Sequence, residues 1–438
     1  MNILIQNGRV IDPASGFDHT ADVAVADGHI VAIAKTGEKL PANFKTEHTI
    51  DAKGCIVAPG LVDLQVRLRE PGHEHEGMLA SELTAAVAGG VTSLVCPPDT
   101  DPVLDEPGLI EMLKFRAEKL HRARVFPLGA LTRGLKGEVL TEMSDLTDAG
   151  CVGFSQAEVP LENTQVLQRA LQYAATFGYT VWLRPQEMHL GKGVAASGPL
   201  ATRLGLGGVP VAAETIALHT IFALMRSTKA RVHLCRISSA EGVELVRAAK
   251  KEGLAVTADV SINSLHLSDH DIGYFDSRAR VTPVLRQQRD RDALRAALAD
   301  GTIDVLVSDH TPVDVDAKAL PFAEAESGAT GLELLLSLSL KWANDSKVSM
   351  LRALEVLTSQ PAKVLGKIEG QSESMGQLHV GGVADLVVFD PAAEWHVTSD
   401  ALHSQGKHTP FAFDMTGMSL PARVKVTLVA GRVVYQAA

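Results

Sequence analysis

RVHLCRISSAEGVELVRAAKKEGLAVTADV, residues 231–260, carries the reading of the fold. It opens on an apolar run, Arg231–Ile237, and closes on another, Leu254–Val260. Between them Ala240–Glu252 has a helical pattern that stops at Gly253. Glycine just past a helix is its usual C-terminal stop, because glycine enters the left-handed conformation without steric cost. Two short, largely apolar strands joined by a helix, buried on both faces, are the signature of a parallel sheet.

The same unit recurs along the chain. Further apolar runs lie at Ile56–Leu68, Val91–Cys96, Arg124–Leu131, Cys151–Ser155, Thr180–Leu183 and Ile303–Ser308. Helical patterns at Met78–Ala88, Leu140–Ala149 and Thr164–Phe177 each stop at glycine. Eight such runs are the number that closes a (β/α)8, or TIM, barrel. No GxGxxG or GxxxxGK[ST] follows a run, which removes the commonest reason to prefer an open doubly wound sheet.

The two ends of the chain read differently. Ala21–Ala26 and His29–Ala34 alternate around Asp27-Gly28, the pattern of a hairpin with a type I′ turn. Ala384–Phe389 and Val424–Tyr435, the latter broken at Gly431, resume short strands. The expected architecture is α/β: a barrel over residues 56–370 and a small β-sandwich built from 1–55 and 371–438. Glu369–Gln377 is the expected link between them.

The chain has 438 residues, 46% hydrophobic and 21% charged, an ordinary globular mix. Its net charge of −11 argues against nucleic acid or an anionic membrane as partner. The N-terminus lacks a basic-then-apolar signal and no apolar run reaches about 18 residues, so the expected location is the cytoplasm. Cys55, Cys96, Cys151 and Cys235 form no CxxC and read as buried, reduced thiols.

In a barrel, chemistry sits at the C-terminal ends of the strands. There the sequence places Gln65, Arg67 and Arg69, then Asp99, Gln156, Arg184, Arg236 and Asp309. Alternation points Gln65 and Arg67 to the same face, into the barrel mouth. His73 and His75 read as solvated loop residues, His266 and His270 as an exposed helix entry, and His233 and His310 as packed. No Gly-x-Ser-x-Gly elbow is present.

Several stretches, in order, resemble the dihydroorotases of the amidohydrolase superfamily. They are Gly8–Pro13, Pro59–Asp63, Leu68–Gly72, Ala88–Ser93, Leu204–Pro210, Ser308–His310 and Gly382–Val387. The resemblance implies a zinc site: His-x-His on the first strand, lysine or aspartate on the fourth, histidines on the fifth and sixth, aspartate on the eighth. Gln65 and Arg67 stand at the His-x-His, Gln156 at the fourth strand, and Arg184 and Arg236 at the histidines. Only Asp309 matches. Arg69 matches the arginine that holds the substrate carboxylate, while Asp99 replaces an asparagine and would repel an anion. The family's later loops read Ala196-Ser197-Gly198 and Ser261-Ile262-Asn263-Ser264 in place of His-Glu-Gly and Thr-Pro-His-His.

Arginine has no lone pair to offer a metal and stays cationic. A divalent ion about 5 Å from one guanidinium meets several kcal/mol of repulsion at an effective dielectric of ~20. The expectation is therefore no zinc and no catalysis, with Asp309 a relic that pairs with at least one arginine. Asp99, Glu187, water or an anion would balance the rest. Cys96–Asp105 and the Phe411-Ala412-Phe413 region look most like inactive dihydroorotase-like subunits of bacteria. That likeness implies an oligomer that assembles with the catalytic chain of aspartate carbamoyltransferase. Two alternatives stand beside it. One is an active dihydroorotase or other cyclic-amide hydrolase with an atypical metal site. The other is an anion-binding module that uses Arg67, Arg69, Arg184 and Arg236.

Overall fold

The computed structural model describes residues 2–42, 44–368, 374–412 and 417–437. Phe413, the expected domain boundary at 370/371 and much of the expected link lie outside these residues.

Eight parallel strands follow one another through the middle of the chain. They are Leu61–Asp63, Val91–Cys96, Arg124–Pro127 resumed at Gly129–Ala130, Phe154–Ser155, Thr180–Leu183, Arg231–Leu234, Val256–Ser261 and Val305–Val307. Each pairs in parallel with the next. The first and eighth meet through a parallel bridge between Val66 and His310. There the Arg67 amide donates to the His310 carbonyl at 2.9 Å. This is a TIM-barrel fold with a mostly β domain formed by the chain ends.

The helices form where the caps and apolar spacing put them. In Thr164–Phe177 the Asn163 side chain accepts from the Gln165 and Val166 amides, and Gly178 ends the helix at φ 75°. It buries Val166, Leu167, Ala170, Leu171 and Ala174, one face at helical spacing. Each such Val or Leu is worth roughly 1.5–3 kcal/mol. Ala240–Glu252 is capped by Ser239 and stopped by Gly253 at φ 89°. Leu140–Ala149 forms a shorter helix than its pattern suggests, Met143–Asp148.

The terminal domain corrects one expectation. Its strands join in one hydrogen-bonded eight-stranded sheet, whose two halves share a buried cluster that includes Ile3, Val23, Leu386 and Val426. Its centre is Ile56–Pro59, parallel to Ile3–Asp12 and antiparallel to Leu386–His396. The run Ile56–Leu68 is therefore two strands, and the barrel begins at Leu61, not at 56. Gly60 marks the break: a Cβ there would collide with the Thr92 side chain. The Asp27-Gly28 turn has positive φ at both residues, 50° and 81°, as a type I′ hairpin requires. No helix among the described residues is long and apolar enough to cross a membrane.

Candidate functional site

The barrel mouth is built from three arginines that arrive on three different strands. Arg67 follows the first, Arg184 the fifth and Arg236 the sixth. Their side chains are only 7%, 6% and 2% exposed. Buried guanidinium groups must be paired, because an uncompensated one costs several kcal/mol.

Glu158 is the common partner. Arg67 reaches its Oε1 at 2.8 Å and Arg184 its Oε2 at 2.5 Å. Arg236 Nη2 bonds the same Oε1, while its Nη1 holds Asp309 at 2.9 Å. Arg67 also reaches Asp99 at 2.8 Å and Thr311 Oγ1 at 3.1 Å. Three guanidinium groups thus meet three carboxylates, and the cluster is balanced without an added ion. Burial pushes the Glu158 carboxyl up, but Arg236, Arg184 and Arg67 outweigh it and hold it far below the usual carboxylate range. Asp309 is raised instead: burial dominates over Arg236 and Arg67. Arg236 and Asp309 sit at φ 57° and 53°, a region non-glycine residues seldom occupy. The backbone is bent to aim both side chains at the mouth.

The remaining sequence candidates lie around this cluster. Arg69 is held by Glu76 at 2.9 Å and Glu326 at 3.2 Å and donates to the Pro312 carbonyl. Gln156 is buried, with Thr132 donating to it and the Leu135 carbonyl accepting from it. Gln65 is buried and its backbone N–H donates to the Asp63 carboxylate. Glu187 does not join the cluster. It caps the following turn by accepting from the His189 and Leu190 amides. His266 is not at an exposed entry: Nε2 bonds the Leu338 carbonyl at 3.0 Å. Burial pushes its pKa down to about 3. Glu158 itself was missed from sequence. It lies two residues past Gln156 in a loop, where no periodicity or motif marks it.

Two histidines are buried in pairs. His310 Nε2 lies 2.8 Å from Glu82, which also accepts from Ser404. His233 Nε2 lies 2.9 Å from Asp259. With Cys235 these form the one His/Cys/Asp/Glu trio among the described residues whose ligand atoms all lie within 4.8 Å. Two of its members have other partners. Thr257 holds His233 Nδ1, and the Arg236 amide holds Asp259. Burial pushes the Cys235 thiol well up. His73 and His75 sit with ring centroids 6.2 Å apart in the loop after the first strand.

Fold and mouth together define an amidohydrolase-type barrel whose strand ends carry charged residues from several strands. The amidohydrolase family model matches residues 209–435, and the dihydro-orotase-like model matches 54–242. The chain belongs to the dihydroorotase-like amidohydrolases. It is 42% identical to a dihydroorotase-like protein of Pseudomonas aeruginosa, over 100% of both chains. It is 38% identical to a dihydroorotase of Geobacter metallireducens, again over 100% of both. Among solved structures it resembles the L-hydantoinase (dihydropyrimidinase) of Arthrobacter aurescens, with a TM-score of 0.84 and 26% identity. That match covers 99% of this chain and 96% of the hydantoinase.

Amidohydrolases and hydantoinases typically depend on zinc. The donor set at this mouth does not fit it. Zinc takes imidazole, thiolate or carboxylate ligands. Of the positions in question only Asp309 offers one, and it is bonded to Arg236. Glu158 is a carboxylate, but three guanidinium groups surround it.

Proposed function

We propose that this chain is a non-catalytic dihydroorotase-like protein, an assembly partner of aspartate carbamoyltransferase catalytic chains. One observation carries the first half of the reading. Where a metal cage would stand, Arg67, Arg184 and Arg236 close on Glu158, Asp309 and Asp99. A metal brought there would have to displace guanidinium groups from their carboxylates, and several kcal/mol of repulsion oppose it. The partnership rests on the likeness of Cys96–Asp105 to inactive subunits, and on a complete barrel that serves no reaction of its own. Such a chain works in the cytoplasm, as an oligomer, with no resident zinc. Co-expression with the carbamoyltransferase catalytic chain of the same cell tests it. A complex that survives gel filtration supports the reading, and two separate peaks at micromolar concentration contradict it.

A second reading, dihydroorotate hydrolysis, is favoured by the name carried by the Geobacter metallireducens relative. It requires stoichiometric zinc in the purified protein, which elemental analysis detects. The anion-binding reading of Arg67, Arg69, Arg184 and Arg236 is disfavoured, because carboxylates already neutralise each of these arginines.

A further inference from the structure

At the far end of the barrel from Glu158, a cleft of about 1010 Å³ opens between the barrel and the terminal sheet. Its walls include Arg124, Thr180 and Arg231, the first residues of the third, fifth and sixth strands. Glu158, Arg184, Arg236 and Asp309 all follow the last residues of theirs, so the two sites share no residue.

The cleft inverts the charge logic of the mouth. Lys114, Arg122, Arg231 and Arg432 line it, and none forms an ion pair among the described residues. Arg122 donates to the Val434 carbonyl, which the terminal sheet supplies, Arg231 to the Gly178 carbonyl at 2.6 Å, and Lys114 to the Ala149 carbonyl at 3.5 Å. Carbonyls orient these last three cations without neutralising them. Gly150 makes room for one of them, since a Cβ there would run into the Lys114 amine. Arg124 is the exception, held by Asp385. Only two described acids, Asp27 and Glu118, line the cleft, and neither pairs with these cations. In a chain of net charge −11, a group of unmatched cations is a local excess that an anion would relieve. The rings of Phe126 and Tyr179, with Val152, add apolar surface beside the cations. The volume is far larger than an inorganic ion needs and matches the upper range of small-molecule sites.

We propose that this cleft binds a small organic phosphate. Two or more negative charges would lie on Arg122, Arg231, Lys114 and Arg432, with a flat apolar body against Phe126, Val152 and Tyr179. The inference stands whether or not the barrel mouth is catalytic. Guanidinium groups suit phosphate because their paired N–H donors match its oxygens.

Thermal unfolding and calorimetric titration of the full chain test it, with metal-free ATP, inorganic pyrophosphate and adenosine as probes. ATP should raise the melting temperature most, pyrophosphate less and adenosine not at all. The shift should shrink with added salt. Arg231 and Arg432 are exposed, so R231Q/R432Q should fold normally. That variant should weaken ATP binding about tenfold or more, the loss of a charge-assisted hydrogen bond. Lys192 lines the mouth pocket with Glu158, Arg184 and Arg236, so K192Q should leave the ATP shift as in the wild type. The proposal is overturned if no probe shifts the melting temperature, or if R231Q/R432Q binds ATP as tightly as the wild type. It is also overturned if K192Q alone abolishes binding, or if adenosine matches ATP.

Discussion

Glu158 faces Arg67, Arg184 and Arg236 at once, while Asp309 bonds Arg236 alone. Removing either negative charge leaves a guanidinium short of its partner. E158Q should cost about 2–4 kcal/mol, measured by urea unfolding, and D309N clearly less, because burial already disfavours the charged Asp309. The pH dependence has a definite sign. Glu158 is depressed from its ordinary value of 4.5, so its contribution is complete above that pH and is lost as pH falls towards the folded value. E158Q should flatten the acid limb of the stability curve. Lys318 gives the opposite window. It is buried, donates to the Ser277 and Arg280 carbonyls, and burial lowers its pKa from 10.5 to about 7. Between those values the unfolded chain holds the proton that the folded one has lost, so stability rises with pH. K318M should remove a gain on the order of 3–5 kcal/mol between pH 7 and 10.5, read as the difference between two denaturation series. The arginines were legible in sequence because each follows a strand, where alternation and barrel geometry fix direction. Glu158 was not, because a loop has no period. Glu187 was named in its place, since sequence does not reveal that a carboxylate is already capping a turn.

At the scale of the strands, the chief difference from the sequence reading is the division of Ile56–Leu68. Every residue from Ile56 to Leu68 except Asp63, Gln65 and Arg67 is apolar or glycine or proline, so composition shows no boundary. Pro59-Gly60 is the one signal, a turn-marking dipeptide, and the need for glycine there lies in Thr92, a residue of the second strand. G60A should cost about 1–3 kcal/mol in chemical denaturation, as overpacking does. A cost below the error of the measurement would mean that Thr92 moves freely aside. The strand ends also set what a single reversion can achieve. R67H returns one imidazole to the first strand, but Arg184 and Arg236 still arrive from the fifth and sixth. A metal site works as a unit, so R67H should bind zinc no better than the wild type, read by elemental analysis after dialysis. The helices with caps, Thr164–Phe177 and Ala240–Glu252, were legible to the residue, because Asn163, Ser239 and the terminal glycines mark their ends.

Over the whole molecule, one balanced cluster of arginines and carboxylates lies at the top of the barrel, and a cleft lined by cations unpaired among the described residues lies at the bottom. The terminal sheet joins both chain ends through Ile56–Pro59 and supplies one wall of that cleft. The α/β character and the strand alternation were legible from periodicity. The single continuous sheet was not, because pairing between residues 56–59 and 386–389 depends on contacts more than 300 positions apart. The claim that the barrel is not catalytic is tested most directly by dihydroorotate hydrolysis, assayed on the purified chain while zinc is titrated in. The account predicts no rate above that of zinc alone at any concentration. A rate proportional to the protein, saturating with zinc and persisting through a second purification step, would contradict it.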